Sequence, residues 1–273
     1  MPILNKDMVL SISLAARPSN IGTRFHNWLY DELGLNNIYK AFTTTDLPSA
    51  IAGVRALGIR GCSVSMPFKE DVIALVDKMD PSALAIDSVN TIVNDDGVLT
   101  AYNTDYLAVA QLLGQQAGLA PSSSVLLRGS GGMAKAVAAA LRDAGFTRVT
   151  IAARNEQTGR ALAGLYGFAW QSEAGNSTAD LLINVTPLGM SGSDESAQSF
   201  SDEAVAAAQV VFDVVALPAE TPLIRAARRA GKPVITGAEV IALQAAEQFV
   251  LYTGVRPTDE QIRRAGEFSR QAG

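Results

Sequence analysis

The stretch Ser124-Val125-Leu126-Leu127-Arg128-Gly129-Ser130-Gly131-Gly132-Met133-Ala134-Lys135 constrains the fold of this chain more than any other. An apolar run passes into glycines and then into the helix-forming series that begins at Met133, the order strand, tight turn, helix. Gly129, Gly131 and Ala134 keep the G-x-G-x-x-G/A spacing of a dinucleotide-binding turn. Gly129 permits the turn, Gly131 lets the backbone approach a pyrophosphate, and Ala134 lets the helix pack close to the strand. The N–H groups of Ser130, Gly132 and Met133 at the helix start then face the diphosphate charge.

Strand and helix patterns alternate on both sides of that turn. Strands are expected at 8–13, 38–42 and 61–65, with helices at 23–33, 47–57 and 68–76. Two further strand-like runs, 88–93 and 98–101, are joined by Asn94-Asp95-Asp96-Gly97, a hairpin signal. A helix over 105–117 leads to the turn, and beyond it lie strands at 149–152, 181–184, 210–214 and 233–235. Helices are expected at 157–166, 223–230, 238–252 and 259–271, with a surface loop at 191–201. This alternation predicts an α/β protein with mostly parallel sheets.

At 273 residues, 48% apolar and 18% charged, the chain can bury the core of one large domain or the cores of two ordinary ones. A net charge of -5 gives no hint of a nucleic-acid or anionic-membrane partner. A single cysteine, Cys62, excludes an internal disulfide, and with the single histidine, His26, it leaves no metal site to expect. Lys6 with the run 8–16 loosely mimics a signal peptide, but Ser11 and Ser13 interrupt it and the alternation suits a first strand. No stretch is long enough to span a bilayer, so the expectation is a soluble cytoplasmic protein.

Ligands of such sheets sit outside the carboxyl ends of the strands. In the second half those ends are Gly129, Ala153-Arg154, Asn184-Val185-Thr186 and Asp213-Val214-Val215. An NAD site would carry an acidic residue about 20 positions past the glycines. This chain has Arg154 there, which suits a 2′-phosphate and favours NADP, with NAD still open; as a bare pattern it is also an ordinary solvated arginine. The expected cofactor contacts are Gly129, Ser130, Gly131, Gly132, Met133, Ala134, Arg154, Asn184, Thr186, Val214 and Gly237.

In the first half Ser63-Val64-Ser65-Met66-Pro67-Phe68-Lys69 closes an apolar strand, with Pro67 placed to start a helix and Lys69 in its first turn. A lysine is electrostatically unwelcome there, which marks it for acid–base work. Asn103-Thr104-Asp105 reads from pattern alone as a helix cap with an acid in the first turn.

Ser65-Met66-Pro67-Phe68-Lys69, Val89-Asn90-Thr91-Ile92, Asn103-Thr104-Asp105, the glycine turn and Gln244-Ala245-Ala246-Glu247-Gln248-Phe249 occur in the order of the shikimate dehydrogenase family. Over nearly its whole length the chain resembles that family, most closely its divergent shikimate dehydrogenase-like class. The resemblance implies a substrate domain, 1–103 plus about 238–273, a Rossmann-type NADP-binding domain, 104–237, and a cleft that separates them. It implies that the C-terminal helices return to the first domain, that Lys69 and Asp105 are catalytic, and that Ser65, Asn90 and Gln244 bind substrate hydroxyls. The family's Ser-x-Ser-Pro segment ahead of His-Asn is missing. Ser19 and Thr23 are the hydroxyls that stand in for it, and Arg24 adds charge. An asparagine usual in the lysine motif is Ser63, and a tyrosine usual near Pro218 is Ala216. The implied activity is interconversion of shikimate and 3-dehydroshikimate, weak in view of these departures, by a monomer or homodimer in aromatic amino acid biosynthesis. The alternatives are a dehydrogenase of quinate or another cyclic polyhydroxy acid, and a nucleotide-binding sensor without catalysis.

Overall fold

The structure, a computed structural model, describes residues 4–116 and 118–271. Two compact units share the chain: the first runs to Leu107 and resumes at Ala242, and the second is Ala108–Ile241.

The first unit opens with β1 (Val9–Leu14), α1 (Asn20–Glu32), β2 (Asn37–Phe42), α2 (Leu47–Ala56) and β3 (Gly61–Val64). A short 3-10 turn (Asp71–Leu75), β4 (Lys78–Met79), α3 (Pro81–Leu84), β5 (Thr91–Asp95), β6 (Val98–Tyr102) and the start of α4 (Thr104–Gly114), whose remainder lies in the second unit, follow. Its sheet runs β2-β1-β3-β5-β6-β4, parallel around β1 and antiparallel from β3 through β5 to β6. Asp96 and Gly97 both take positive φ, 51° and 90°, as a two-residue hairpin turn that matches strand twist requires. Ser11 and Ser13 lie inside β1 as ordinary strand residues.

The helix expected at 68–76 is replaced by turns over 66–70 and the 3-10 segment, so Lys69 sits in a turn. Any argument from its place at a helix N-terminus lapses. β4, α3 and the later α7 and β9 have no expectation behind them; each has six residues or fewer, too short to show a period. The helix expected to reach residue 117 ends at Gly114, and Ala117 is outside the described residues.

The second unit contains β7 (Ser124–Arg128), α5 (Gly132–Asp143), β8 (Arg148–Ala152), α6 (Glu156–Tyr166), β9 (Ala169–Gln171) and β10 (Leu181–Asn184). It continues with α7 (Asp202–Ala207), β11 (Val210–Asp213), α8 (Pro222–Arg229), β12 (Val234–Thr236) and the start of α9 (Gly237–Thr253). All pairings are parallel, in the order β12-β11-β10-β7-β8-β9. Read from the far edge this is the doubly wound order, with its switch between β7 and β10. Burial on both faces explains the unbroken apolar runs Val125–Leu127 and Leu181–Ile183.

The rest of α9 and α10 (Asp259–Arg270) belong to the first unit, where they pack with α1 around Phe25, Leu29, Tyr30, Phe249 and Ile262. Among the described residues no helix is long and apolar enough to cross a membrane.

Candidate functional site

In the first unit Asn103 is the N-cap of α4: its Oδ1 accepts from Tyr106 N at 3.0 Å, and its Nδ2 donates to the Ser88 carbonyl at 2.9 Å. Capping is therefore done by Asn103, and the Asp105 carboxylate in the same turn is left for another partner. That partner is Lys69, whose Nζ donates to Asp105 Oδ2 at 2.8 Å. The two side chains are 29% and 16% exposed, enough for a ligand to reach and too little for bulk water to screen the pair fully. An ammonium with a fixed carboxylate beside it can give a proton to an oxygen and, once neutral, take one back.

Next to this pair Asn90 is almost wholly buried. Its Oδ1 accepts from Thr104 N at 2.8 Å, Thr104 Oγ1 at 3.1 Å and Thr91 Oγ1 at 2.8 Å. A backbone N–H can only donate, so the oxygen must face Thr104 and the amide orientation is fixed. Asn90 Nδ2 takes part in none of these bonds. Gln244 Nε2 donates to Thr104 Oγ1 at 3.2 Å, which joins the α9 glutamine to the same cluster. Lys69, Asp105, Asn90 and Gln244 are thus brought together through Thr104, the residue before Asp105.

Ser65 follows β3 and is exposed. Ser19 is the N-cap residue of α1, yet its side chain makes no capping bond, so its exposed hydroxyl is open to a ligand. Thr23 is placed differently. Its Oγ1 is buried without a partner, and with Arg24, Trp28, Tyr39, Lys40 and Phe268 it lines a hollow of about 480 Å³. No hydrogen bond ties Thr23 to the Lys69 cluster, and Arg24 lies 4.8 Å over the Phe268 ring.

His26 is fully buried, stacked on Tyr39 with ring centroids 4.4 Å apart. Burial pushes its pKa down to about 3, partly offset by Gln248, although neither ring nitrogen makes a hydrogen bond of good geometry. It is neutral near pH 7 and built into the core.

In the second unit Gly129 has φ 122°, and a Cβ there would lie 2.8 Å from Val185 Cγ2 and 3.2 Å from the Val185 carbonyl. Only glycine fits where β7 turns against the end of β10. Around Gly131 and Gly132 a Cβ would meet nothing within 4 Å, so open room lies over the turn. Gly131 caps α5 without any side-chain bond, and Ala134 is buried beneath. Uncapped N–H groups facing free space fit a diphosphate.

Met133 is partly buried in the first turn of α5, and Ser130 Oγ lies 2.8 Å from Thr158 Oγ1, which links the turn to α6. Arg154 is exposed just past β8. Arg128, which spacing did not single out, ends the neighbouring strand opposite Ala152; burial and the Arg154 charge lower its pKa. Two arginines at one sheet edge, with Glu173 the carboxylate that opposes their charge, suit an anion.

Asn184 is fully buried and its carboxamide is spent on Thr186 and on Asp213 Oδ1, at 3.0 Å for the latter. It therefore shapes the Thr186 loop. Asp213, at the end of the next strand, accepts from Thr221 Oγ1 at 2.6 Å and Val215 N at 3.1 Å; burial raises its pKa against those bonds. At Gly237 a Cβ would stand 2.3 Å from the Val214 carbonyl oxygen, so the start of α9 lies directly against the end of β11.

A family model described as the shikimate dehydrogenase substrate binding domain matches residues 20–92, within the first unit. A shikimate dehydrogenase-like protein of Haemophilus influenzae is 56% identical over 269 residues, 98% of this chain and 99% of the other. A shikimate dehydrogenase (NADP(+)) of Citrifermentans bemidjiense is 33% identical over 97% of this chain and 96% of the other. Among solved structures, the shikimate 5-dehydrogenase of Thermus thermophilus in complex with NADP(H) and shikimate superposes with a TM-score of 0.83 at 30% identity, over 96% of this chain and 100% of that one. Identity carried across both units, together with the motifs in order and the doubly wound second sheet, establishes that the chain belongs to the shikimate dehydrogenase family.

Proposed function

We propose that this protein is an NADP-dependent oxidoreductase that interconverts shikimate and 3-dehydroshikimate. The observation that carries the reading is the Lys69–Asp105 pair, 2.8 Å apart and only partly exposed, beside an Asn90 whose Nδ2 is free of the surrounding network. In this reading the first unit holds the substrate and the second the cofactor. A bound nicotinamide cofactor would supply or take up the hydride, and the residues of this chain bind and orient the substrate and move the proton. Lys69 exchanges the proton, giving it to the forming alkoxide oxygen on reduction and receiving it from the hydroxyl on oxidation. Asp105 holds the ammonium and accepts from a second substrate hydroxyl. Asn90 Nδ2, Gln244 and Ser65 share in binding the hydroxyls of the substrate. A binder without catalysis has no use for a cation and a carboxylate held in this way, which weighs against a sensor.

The 2′-phosphate reading rests on Arg154, supported by Arg128 on the adjacent strand. Gly129, Gly131, Gly132 and Ala134 suit the diphosphate.

A second reading, quinate or another cyclic polyhydroxy acid, is favoured by one observation. Thr23 and Arg24, the candidates for the carboxylate, line a hollow away from the Lys69 cluster's hydrogen bonds, which leaves Ser19 as the accessible hydroxyl. Initial rates with shikimate and with quinate, each with NADP and NAD, decide among these readings. Fastest reduction of NADP by shikimate is expected. Turnover of quinate alone would select the second reading, and turnover of neither acid despite cofactor binding would overturn both.

A further inference from the structure

Gln248 lies one turn beyond Gln244 on the same side of α9, and is almost wholly buried. Its Nε2 faces three acceptors: Thr91 Oγ1 at 2.9 Å, Ser63 Oγ at 3.2 Å and the Asn90 carbonyl at 3.3 Å. A backbone carbonyl can only accept, so the nitrogen must lie on this side and the amide orientation is settled. Thr91 has one hydroxyl proton, and its oxygen already accepts from Gln248; the proton goes to Asn90 Oδ1 at 2.8 Å. The second arm runs from Gln244 through Thr104 Oγ1 to the same oxygen. Two glutamines four residues apart therefore start two chains of donors that converge on Asn90 Oδ1.

We infer that Gln248 is a positioning residue for the reaction: by donating to Thr91 it fixes the direction of the hydrogen bonds around Asn90 and keeps Asn90 Nδ2 turned to the substrate. This rests on the reading that Asn90 binds a substrate hydroxyl. In this role Gln248 acts through Thr91 and Asn90. Its Nε2 ties together β3, which leads to Lys69, and β5, which begins beside Asn90, from the helix that carries Gln244.

The titratable groups in this buried cluster stay neutral. His26 and Tyr30 belong to α1, Tyr39 to β2, Cys62 to β3 and Tyr252 to α9. Burial lowers His26 to about 3, pushes Cys62 up to about 12, and raises Tyr30, Tyr39 and Tyr252. The charged groups nearby are Lys69 with Asp105, beyond Asn90, and Glu247, which is paired with Arg256. A carboxyl placed at 248 is then the one new titrating group in the cluster.

The test is Gln248→Glu, read as pH profiles of kcat and KM for shikimate oxidation beside the wild type. Protonated, the glutamic acid keeps one donor toward Thr91. Ionised, it has only acceptors, draws the Thr91 proton to itself and removes a donor from Asn90 Oδ1. The variant is expected to match the wild type near its acid limit and to lose about tenfold or more in kcat/KM as pH rises, most of it in KM. The wild type shows no such limb.

Gln248→Met, of similar length and without a donor, is expected to raise KM about tenfold at every pH with no added limb. Thermal melting checks that each variant is folded. A Gln248→Glu profile parallel to that of an active wild type, or a folded Gln248→Met with wild-type KM, overturns the inference and leaves the functional reading standing. A wild type without shikimate turnover overturns that reading and the inference with it.

Discussion

At the scale of single residues, chemistry follows from which polar groups are already spent. Asn103, Asn184 and Asp213 have their side chains committed to neighbours, while Lys69, Asp105 and Asn90 keep one function each for a ligand. His26 is spent in another sense. Its pKa is lowered to about 3 in the folded protein against 6.5 for an ordinary histidine. The unfolded chain binds the proton first, so this contribution is complete above pH 6.5 and is lost as pH falls toward 3. Urea unfolding should show about 2 kcal/mol less stability at pH 5 than at pH 7, and His26→Phe should flatten most of that slope. Asp46, Asp77, Asp180 and Glu260, all with lowered pKa, lose their contributions only further down, below their ordinary values of 3.8 to 4.5. Asp213, raised, acts with the opposite sign. A His26→Phe slope equal to that of the wild type would contradict the assignment. Sequence named Lys69, Asp105, Asn90 and Gln244 because motif order carries them. It quoted Gln248, Thr91 and Thr104 within those motifs but gave them no part in the site, since their importance lies in the direction of hydrogen bonds that no spacing records.

At the scale of elements, the turn after β7 tests the cofactor reading. Gly129→Ala puts a Cβ 2.8 Å from Val185 Cγ2 on a backbone at φ 122°, which costs about 1–3 kcal/mol of strain. NADPH titration should show affinity falling about tenfold or more, and unchanged affinity would mean that this turn does not hold the diphosphate. Arg154→Gln removes a charge from the edge shared with Arg128. The KM for NADP should rise about 10–100-fold, with that for NAD nearly unchanged. An equal rise for both cofactors would remove the 2′-phosphate from Arg154. The long periodic elements and the Asp-Gly hairpin were legible because period and turn chemistry agree there. The segment after Pro67 was not. Its apolar spacing suggests a helix, but the chain makes only turns and a five-residue 3-10 segment, with the Lys69 carbonyl accepting from Val89 N at 2.9 Å. A tertiary hydrogen bond took the place of a helical one.

At the scale of the whole molecule, two compact units of different topology share the chain. One has a mixed sheet bearing the polar cluster, and the other a parallel sheet bearing the glycine turn. The α/β class and the glycine turn of the second unit followed from residue pattern. The return of the chain to the first unit through α9 and α10 had no local signal and came from resemblance alone. In the proposed mechanism Lys69 moves the proton while the glycine turn independently holds the cofactor. Lys69→Ala measures both at once, through shikimate turnover and NADPH titration on the same preparation. Turnover should fall about 10²–10⁴-fold, with NADPH affinity unchanged. Wild-type turnover in that variant would contradict the account.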